Sequence, residues 1–267
     1  MAAARRSAKP RRKSAPTSSR SSLLGRAALI FVLGALCSAA LFWLTLPDVA
    51  RLRDHFPEST ALIDARAAES RTHGRAARRS QHVVALDRIS PWLVKAVVDS
   101  EDARFFLHSG IDLVETQSAL EHALAEGRLG RGASTLTQQL AKNLWLGEER
   151  SLLRKAREAA MAFRLESLGK ERILELYLNV VEWGDGVYGA EAAARRWFGV
   201  SAAELSPEQA AVLTAMLPAP RKRNPHRPSA HLRQRAAQVL ELFGVYQQLS
   251  ATELAAARSR LHALLGK

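Results

Sequence analysis

The chain has 267 residues, 47% of them apolar and 24% charged, so most of it can bury a core. A single cysteine, Cys37, excludes an intramolecular disulfide framework and a cysteine-rich zinc site. Thirty-nine Lys and Arg against 26 Asp and Glu leave a net charge of +13, which points to a polyanionic partner, either nucleic acid or an anionic membrane.

The position of the charge separates those two. Residues 1–26 carry eight basic side chains and no acid in an Ala, Ser and Pro background. Such a segment cannot bury apolar surface and reads as a disordered cytoplasmic tail. Without those eight the basic excess falls to five. Residues 27–46 contain no charge, and 20 helical residues reach about 30 Å, enough to cross a bilayer. The basic flank predicts the tail inside and the bulk of the chain outside. A cleaved signal peptide is the competing reading, but its apolar region usually runs about 7–15 residues. Leu41-Phe42-Trp43-Leu44 continue past the small-residue site near Ala40, which favours an uncleaved anchor. Leu36 stands where a lipoprotein signal before Cys37 needs a small residue. The tail has no aromatic residue to stack on bases, so no nucleic acid is expected.

Residues 47–82 are polar and rich in Ala and Arg, and read as a partly helical stalk. A mainly α domain over 83–267 follows. Val83-Val84-Ala85-Leu86 is the best strand candidate. Ser90-Pro91 starts a helix expected to run to about Phe106. Further helices are expected near 113–127, 134–145, 151–168, 170–181, 188–197, 206–217, 229–248 and 250–265.

Three segments concentrate chemistry. Glu101 and Asp102 follow an apolar run, and Glu101 shares the helix face of Val97 and Val98. A carboxylate there is partly shielded from water and suits a general base, with Asp102 turned about 100° away for a supporting contact. An exposed acidic pair is the plainer alternative. Arg131-Gly132-Ala133-Ser134-Thr135 leads into a helix through Gln138, Gln139, Lys142 and Asn143. Free N–H groups, hydroxyls, amides and a lysine suit sugar and pyrophosphate oxygens, though a capped surface helix uses some of the same residues. Arg150, Arg154 and Glu158 share one helix face with Lys155 beside them. They form either exposed ion pairs or a cationic wall for a leaving phosphate. Lys170–Asn179 and Trp183–Gly189 read as packing scaffold.

These blocks, with Leu217-Pro218-Ala219-Pro220 and Asn224-Pro225, occur in order over about 85–228. Together they resemble the peptidoglycan glycosyltransferase family, shared by monofunctional enzymes and the N-terminal domains of class A penicillin-binding proteins. Ala133 stands where many members carry a second glycine. The resemblance implies a lysozyme-like fold that polymerises lipid II onto a lipid-linked glycan strand. It implies Glu101 as general base and Glu158 as the second carboxylate, orienting cations or assisting the leaving group. Lys142, Arg150 and Lys155 would neutralise the pyrophosphate. Asp102, Ser134, Thr135, Gln138, Gln139, Asn143 and Arg154 complete the expected substrate site. No cofactor is expected, with a divalent cation at the pyrophosphate left open. Cell-division proteins are admitted as partners beside the membrane. Phe105, Phe106, Leu107, Leu113, Leu120 and Leu124 suit either core packing or dipping into the bilayer.

Ser167-Leu168-Gly169-Lys170 matches the transpeptidase Ser-x-x-Lys pattern by letter, but no Lys-Thr-Gly accompanies it. His226 and His231 have no further ligand residues nearby in sequence. The rivals are a glycan-cleaving lysozyme-like enzyme, which has no need of a cationic wall, and a non-catalytic membrane scaffold of cell-wall assembly.

Overall fold

A computed structural model describes residues 18–126, 134–147 and 151–266, with side chains from residue 24 onward. It divides into two units, Met1–Leu46 and Pro47–Lys267. In the first, helix α1 spans Ser18–Leu44, so it starts nine residues before the expected apolar boundary at Ala27. Arginine is a good helix former, so Arg20 and Arg26 do not stop the helix, although four serines and Gly25 share the added stretch. The span Leu24–Leu44 has no buried residue, and Leu29, Ile30, Phe31 and Leu36 stand open. Its length and composition fit one membrane crossing.

The second unit is mainly α. Its helices are α2 (Ala61–Thr72), α3 (Pro91–Glu101), α4 (Leu113–Glu126), α5 (Leu136–Ala141), α6 (Leu152–Leu165), α7 (Lys170–Val180), α8 (Ala190–Phe198), α9 (Pro207–Met216), α10 (Ala230–Val245) and α11 (Ala251–Leu265). Three short strands, β1 (Ser80–Gln81), β2 (Glu182–Gly184) and β3 (Val187–Tyr188), form a sheet in the order β1-β3-β2. β1 runs parallel to β3, and β2 runs antiparallel to it. Buried on every side, α9 packs between α3 and α10. Leu93, Trp183 and Phe243 are fully buried on the elements that touch it, and Tyr177 is fully buried on α7.

Residues 47–82 are not a stalk. Val49, Leu52, Leu62 and Ile63 are buried, and the last two cluster with Tyr188. The Thr60 hydroxyl caps α2 by accepting from the Ile63 N–H at 3.2 Å. Enough apolar positions are scattered through this Arg-rich stretch to dock it on the domain. Val83–Leu86 is not a strand either. Val84 donates to the Asn179 amide oxygen and accepts from its Nδ2, both at 2.9 Å, so a side chain takes the place of a neighbouring strand. The first domain helix ends at Glu101 instead of Phe106, because Asp102 leaves the helix with φ −160° and ψ 70°.

Candidate active site

Ser90 Oγ caps α3 by accepting from the Trp92 N–H at 3.4 Å and is itself held by donating to the Leu205 carbonyl at 2.7 Å, with Pro91 at the first helical position. The helix thus delivers Glu101, half-buried, as its last residue. Its neighbour Asp102 is buried and fully engaged. His108 Nε2–H donates to it at 3.0 Å, and the Leu136 N–H donates to its other oxygen at 2.9 Å. Asp102 therefore joins the end of α3 to the start of α5, where a negative charge also favours the helix dipole. Asp102 also lines the recess beside Glu101 and Ser134.

Thr135, which lines the same recess, and Gln138 are engaged in a comparable way. They form a capping box, with Thr135 N–H donating to Gln138 Oε1 at 3.0 Å and Gln138 N–H to Thr135 Oγ1 at 3.1 Å. Thr135 Oγ1 also donates to the Gly110 carbonyl at 2.6 Å. Both residues are buried, and these groups serve the helix start.

Gln139 lies on the other face of α5. Tyr177 on α7 is fully buried, and burial, with the Glu101 charge behind it, holds its phenol well above the usual range. It therefore stays a donor and gives its O–H to Gln139 Oε1 at 2.9 Å. That bond fixes the amide, whose Nε2–H reaches Glu101 Oε2 at 3.2 Å. The other oxygen, Oε1, has no hydrogen-bond partner among the described residues. Glu101 is aimed by one oxygen and open at the other.

On α6, Glu158 is buried and accepts from Arg154 at 2.7 Å and from Lys155. Lys155 also donates to Ser134 Oγ at 3.0 Å. Glu158 thus holds two cations beside the entry to α5. Lys142 does not join them. It stands eight residues from Ser134, on the order of 12 Å along a helix, where α5 passes into a π-helical turn, Lys142–Leu146. Such turns widen a helix and are frequent at functional sites. Lys142 has no carboxylate partner among the described residues. Arg131, Gly132, Ala133 and Arg150 lie outside the described residues.

Two concavities meet at the Glu101–Gln139 contact. One, about 910 Å³, is lined by Gln139, Lys142, Asn143 and Tyr177, with Leu217–Lys222 opposite. The other, about 530 Å³, is lined by Glu101, Ser134 and residues of α4. The first carries Arg66, Lys142, Arg221 and Lys222 against Glu182 and Asp185, an excess of cations. The second is rich in carboxylates. A carboxylate between a cationic and an acidic recess has the chemistry for transfer between two bound groups, with an anion leaving on one side.

The sequence profile of the transglycosylase family matches residues 68–243. The chain belongs to this family. Its relatives include a biosynthetic peptidoglycan transglycosylase of Thiobacillus denitrificans, 47% identical over 72% of this chain and 83% of that protein. One from Rhodospirillum centenum is 54% identical over 58% of this chain and 68% of its own length. Another, from Alcanivorax borkumensis, is 45% identical over 80% and 84%. A transglycosylase domain of this lysozyme-like, helix-rich kind behind one apolar helix accords with the resemblance in the motifs.

Sequence reasoning missed Tyr177, which it assigned to packing. A tyrosine inside a wholly buried helix must find a partner for its hydroxyl, and that was the available signal. It also missed Arg66 and Arg221, which only the fold brings to the cleft. Among the described residues no group of three or more His, Cys, Asp or Glu is placed to hold a metal ion.

Proposed function

We propose that this transglycosylase polymerises lipid II. Glu101 takes the proton of the acceptor sugar's 4-hydroxyl through its open oxygen. The acceptor oxygen attacks the anomeric carbon of the donor N-acetylmuramic acid from the face opposite the leaving group. The carbon–oxygen bond to undecaprenyl pyrophosphate breaks, and the α linkage becomes β-1,4. Lys142 meets the charge that builds on the departing pyrophosphate, a preorganised electrostatic role. The Glu101 carboxylate, held by Gln139 beside the cleft that contains Lys142, is the observation that carries this reading.

A lipid-linked substrate favours an enzyme confined to the bilayer. We assign α1 as a single-pass anchor, with the basic tail cytoplasmic and the domain outside. Phe106, Leu107, Leu113, Leu120 and Leu124 are all exposed, at 58–77%, which supports contact with lipid tails; Phe105 is core. The test is incubation of the full chain in detergent with purified lipid II, and separately with preformed glycan, with products separated by size. Polymer from lipid II supports the reading. Shortening of preformed glycan without polymerisation selects the glycan-cleaving alternative, and inertness toward both selects a scaffold.

A further inference from the structure

Glu101 carries its charge in an unfavourable place. It ends α3, and the last turn of a helix presents carbonyls without helical partners, which repel an anion. Asp99 and Asp102 lie within two residues of it, and the α4 side of the recess adds Glu115, Glu126 and His122. Asp112 there is matched by Arg104 at 2.9 Å. The α5 and α7 side offers only neutral groups, the Gln139 amide and the Tyr177 hydroxyl behind it.

The offsetting charge comes from the C-terminal half of the fold. Ser90 N–H donates to the Ala202 carbonyl at 2.9 Å and its hydroxyl to the Leu205 carbonyl, so α3 begins beside the segment that leads into α9. The two helices pack against each other, and their ends come out on the same side. At that end Arg223 folds back from the loop after α9 and donates through Nη1 to the Ala215 carbonyl, in the last turn of α9. Its Nη2 donates to His231 Nδ1 on α10 at 3.4 Å. One turn on, Arg235 donates to the Ser100 hydroxyl at 2.7 Å, so this part of α10 lies against the residue before Glu101. No carboxylate is bonded to Arg223 among the described residues. Burial pushes its guanidinium down, and the charge of Glu101 pulls it back up.

We propose that Arg223 is a positioning residue for the reaction. Anchored on the end of α9, its positive charge offsets the acids and carbonyls that crowd Glu101, so that the carboxylate can accept a proton at neutral pH. This rests on the assignment of Glu101 as the base. Arg223 lines neither recess, so it acts through Glu101 and not on a bound sugar or phosphate. Arg235 is committed to Ser100, and Lys142 faces the large cleft.

The test is the pH profile of kcat/KM for polymerisation of labelled lipid II by the full chain in detergent, with thermal unfolding beside it. Arg223→Gln keeps a donor for the Ala215 carbonyl and loses the charge. Its acid limb should move up by about one pH unit, the effect of removing one nearby opposite charge. The rate at a fixed pH on that limb then falls about tenfold, and the loss fades toward the alkaline plateau. Arg223→Lys restores the charge and should return the limb at least halfway. Loss that is equal at every pH, or that lysine does not rescue, marks a structural contact and overturns the proposal. So does a change in KM alone. If Arg223→Gln fails to fold, Arg223→Met, of similar volume and with no donor to satisfy, decides by the same shift. Glu101→Gln separates this role from the base assignment. If it is inert while Arg223→Gln leaves the acid limb in place, only the role of Arg223 falls. If it polymerises at the wild-type rate, both fall.

Discussion

Glu101→Gln separates the chemistry of the site from its architecture. In the structure Glu101 Oε2 accepts from Gln139 at 3.2 Å, and the second oxygen is open. The new amide can present its carbonyl to Gln139 and its NH2 to the open side. No buried group loses a partner, so folding stability should move by no more than about 0.5 kcal/mol. An amide cannot take a proton at neutral pH. Loss of a general base costs about 10²–10⁴-fold, or about 3–5 kcal/mol of transition-state stabilisation. Asp102 cannot take over, because it is buried and both its oxygens are engaged by His108 and the Leu136 N–H. The assay is the rate of polymerisation of labelled lipid II, measured beside thermal unfolding in the same detergent. A folded variant polymerising at the wild-type rate would remove Glu101 from the mechanism, whatever the family resemblance suggests.

Lys142→Ala should lose about 2–4 kcal/mol of transition-state stabilisation, the worth of one preorganised electrostatic donor, and the loss should appear in kcat; a change in KM alone would make Lys142 a simple binding contact. Asp102→Asn should act through the fold, since an amide NH2 would face the His108 or Leu136 N–H. A cost of about 1–3 kcal/mol, at about 2–4 °C per kcal/mol for a domain of this size, should lower the unfolding midpoint; an unchanged midpoint with lost activity would contradict the joint assigned to it. Tyr177→Phe frees the Gln139 amide to rotate and should lower kcat about tenfold with KM held, whereas an effect on KM alone would deny the aiming role. A reporter fused after Lys267 should work only outside the cytoplasm, and activity of a cytoplasm-only reporter there would reverse the orientation.

Elements with local signals were readable from sequence. Ser90-Pro91 and Ser206-Pro207 both start helices where expected, because caps and first-turn prolines act within a few residues. Errors arose where distant groups decide. Val84 looks like a strand residue until Asn179 is seen to bond its backbone. Residues 47–82 look like a tether until Leu62 and Ile63 meet Tyr188. The register of Glu101 was legible from the helix period. Its aiming by Gln139 and Tyr177 was not, since those bonds span 38 residues in sequence. The capping box of Thr135 and Gln138 was not singled out for a related reason, as the hydroxyls and amides that suit a sugar also suit a helix cap.

The early part of the domain constrains how a water-soluble version could be cut. The family match begins at residue 68, an inviting place to truncate. Leu62 and Arg66, which line the large cleft, would go with the discarded piece. So would three main-chain carbonyls that serve as fastening points, at Pro47 for Arg164 and at Leu52 and His55 for Arg172. A cut at 68 would strip a wall from the cleft and leave two half-buried guanidinium groups short of acceptors on α6 and α7. Trimming just before Pro47 removes the apolar helix and keeps every one of these attachments.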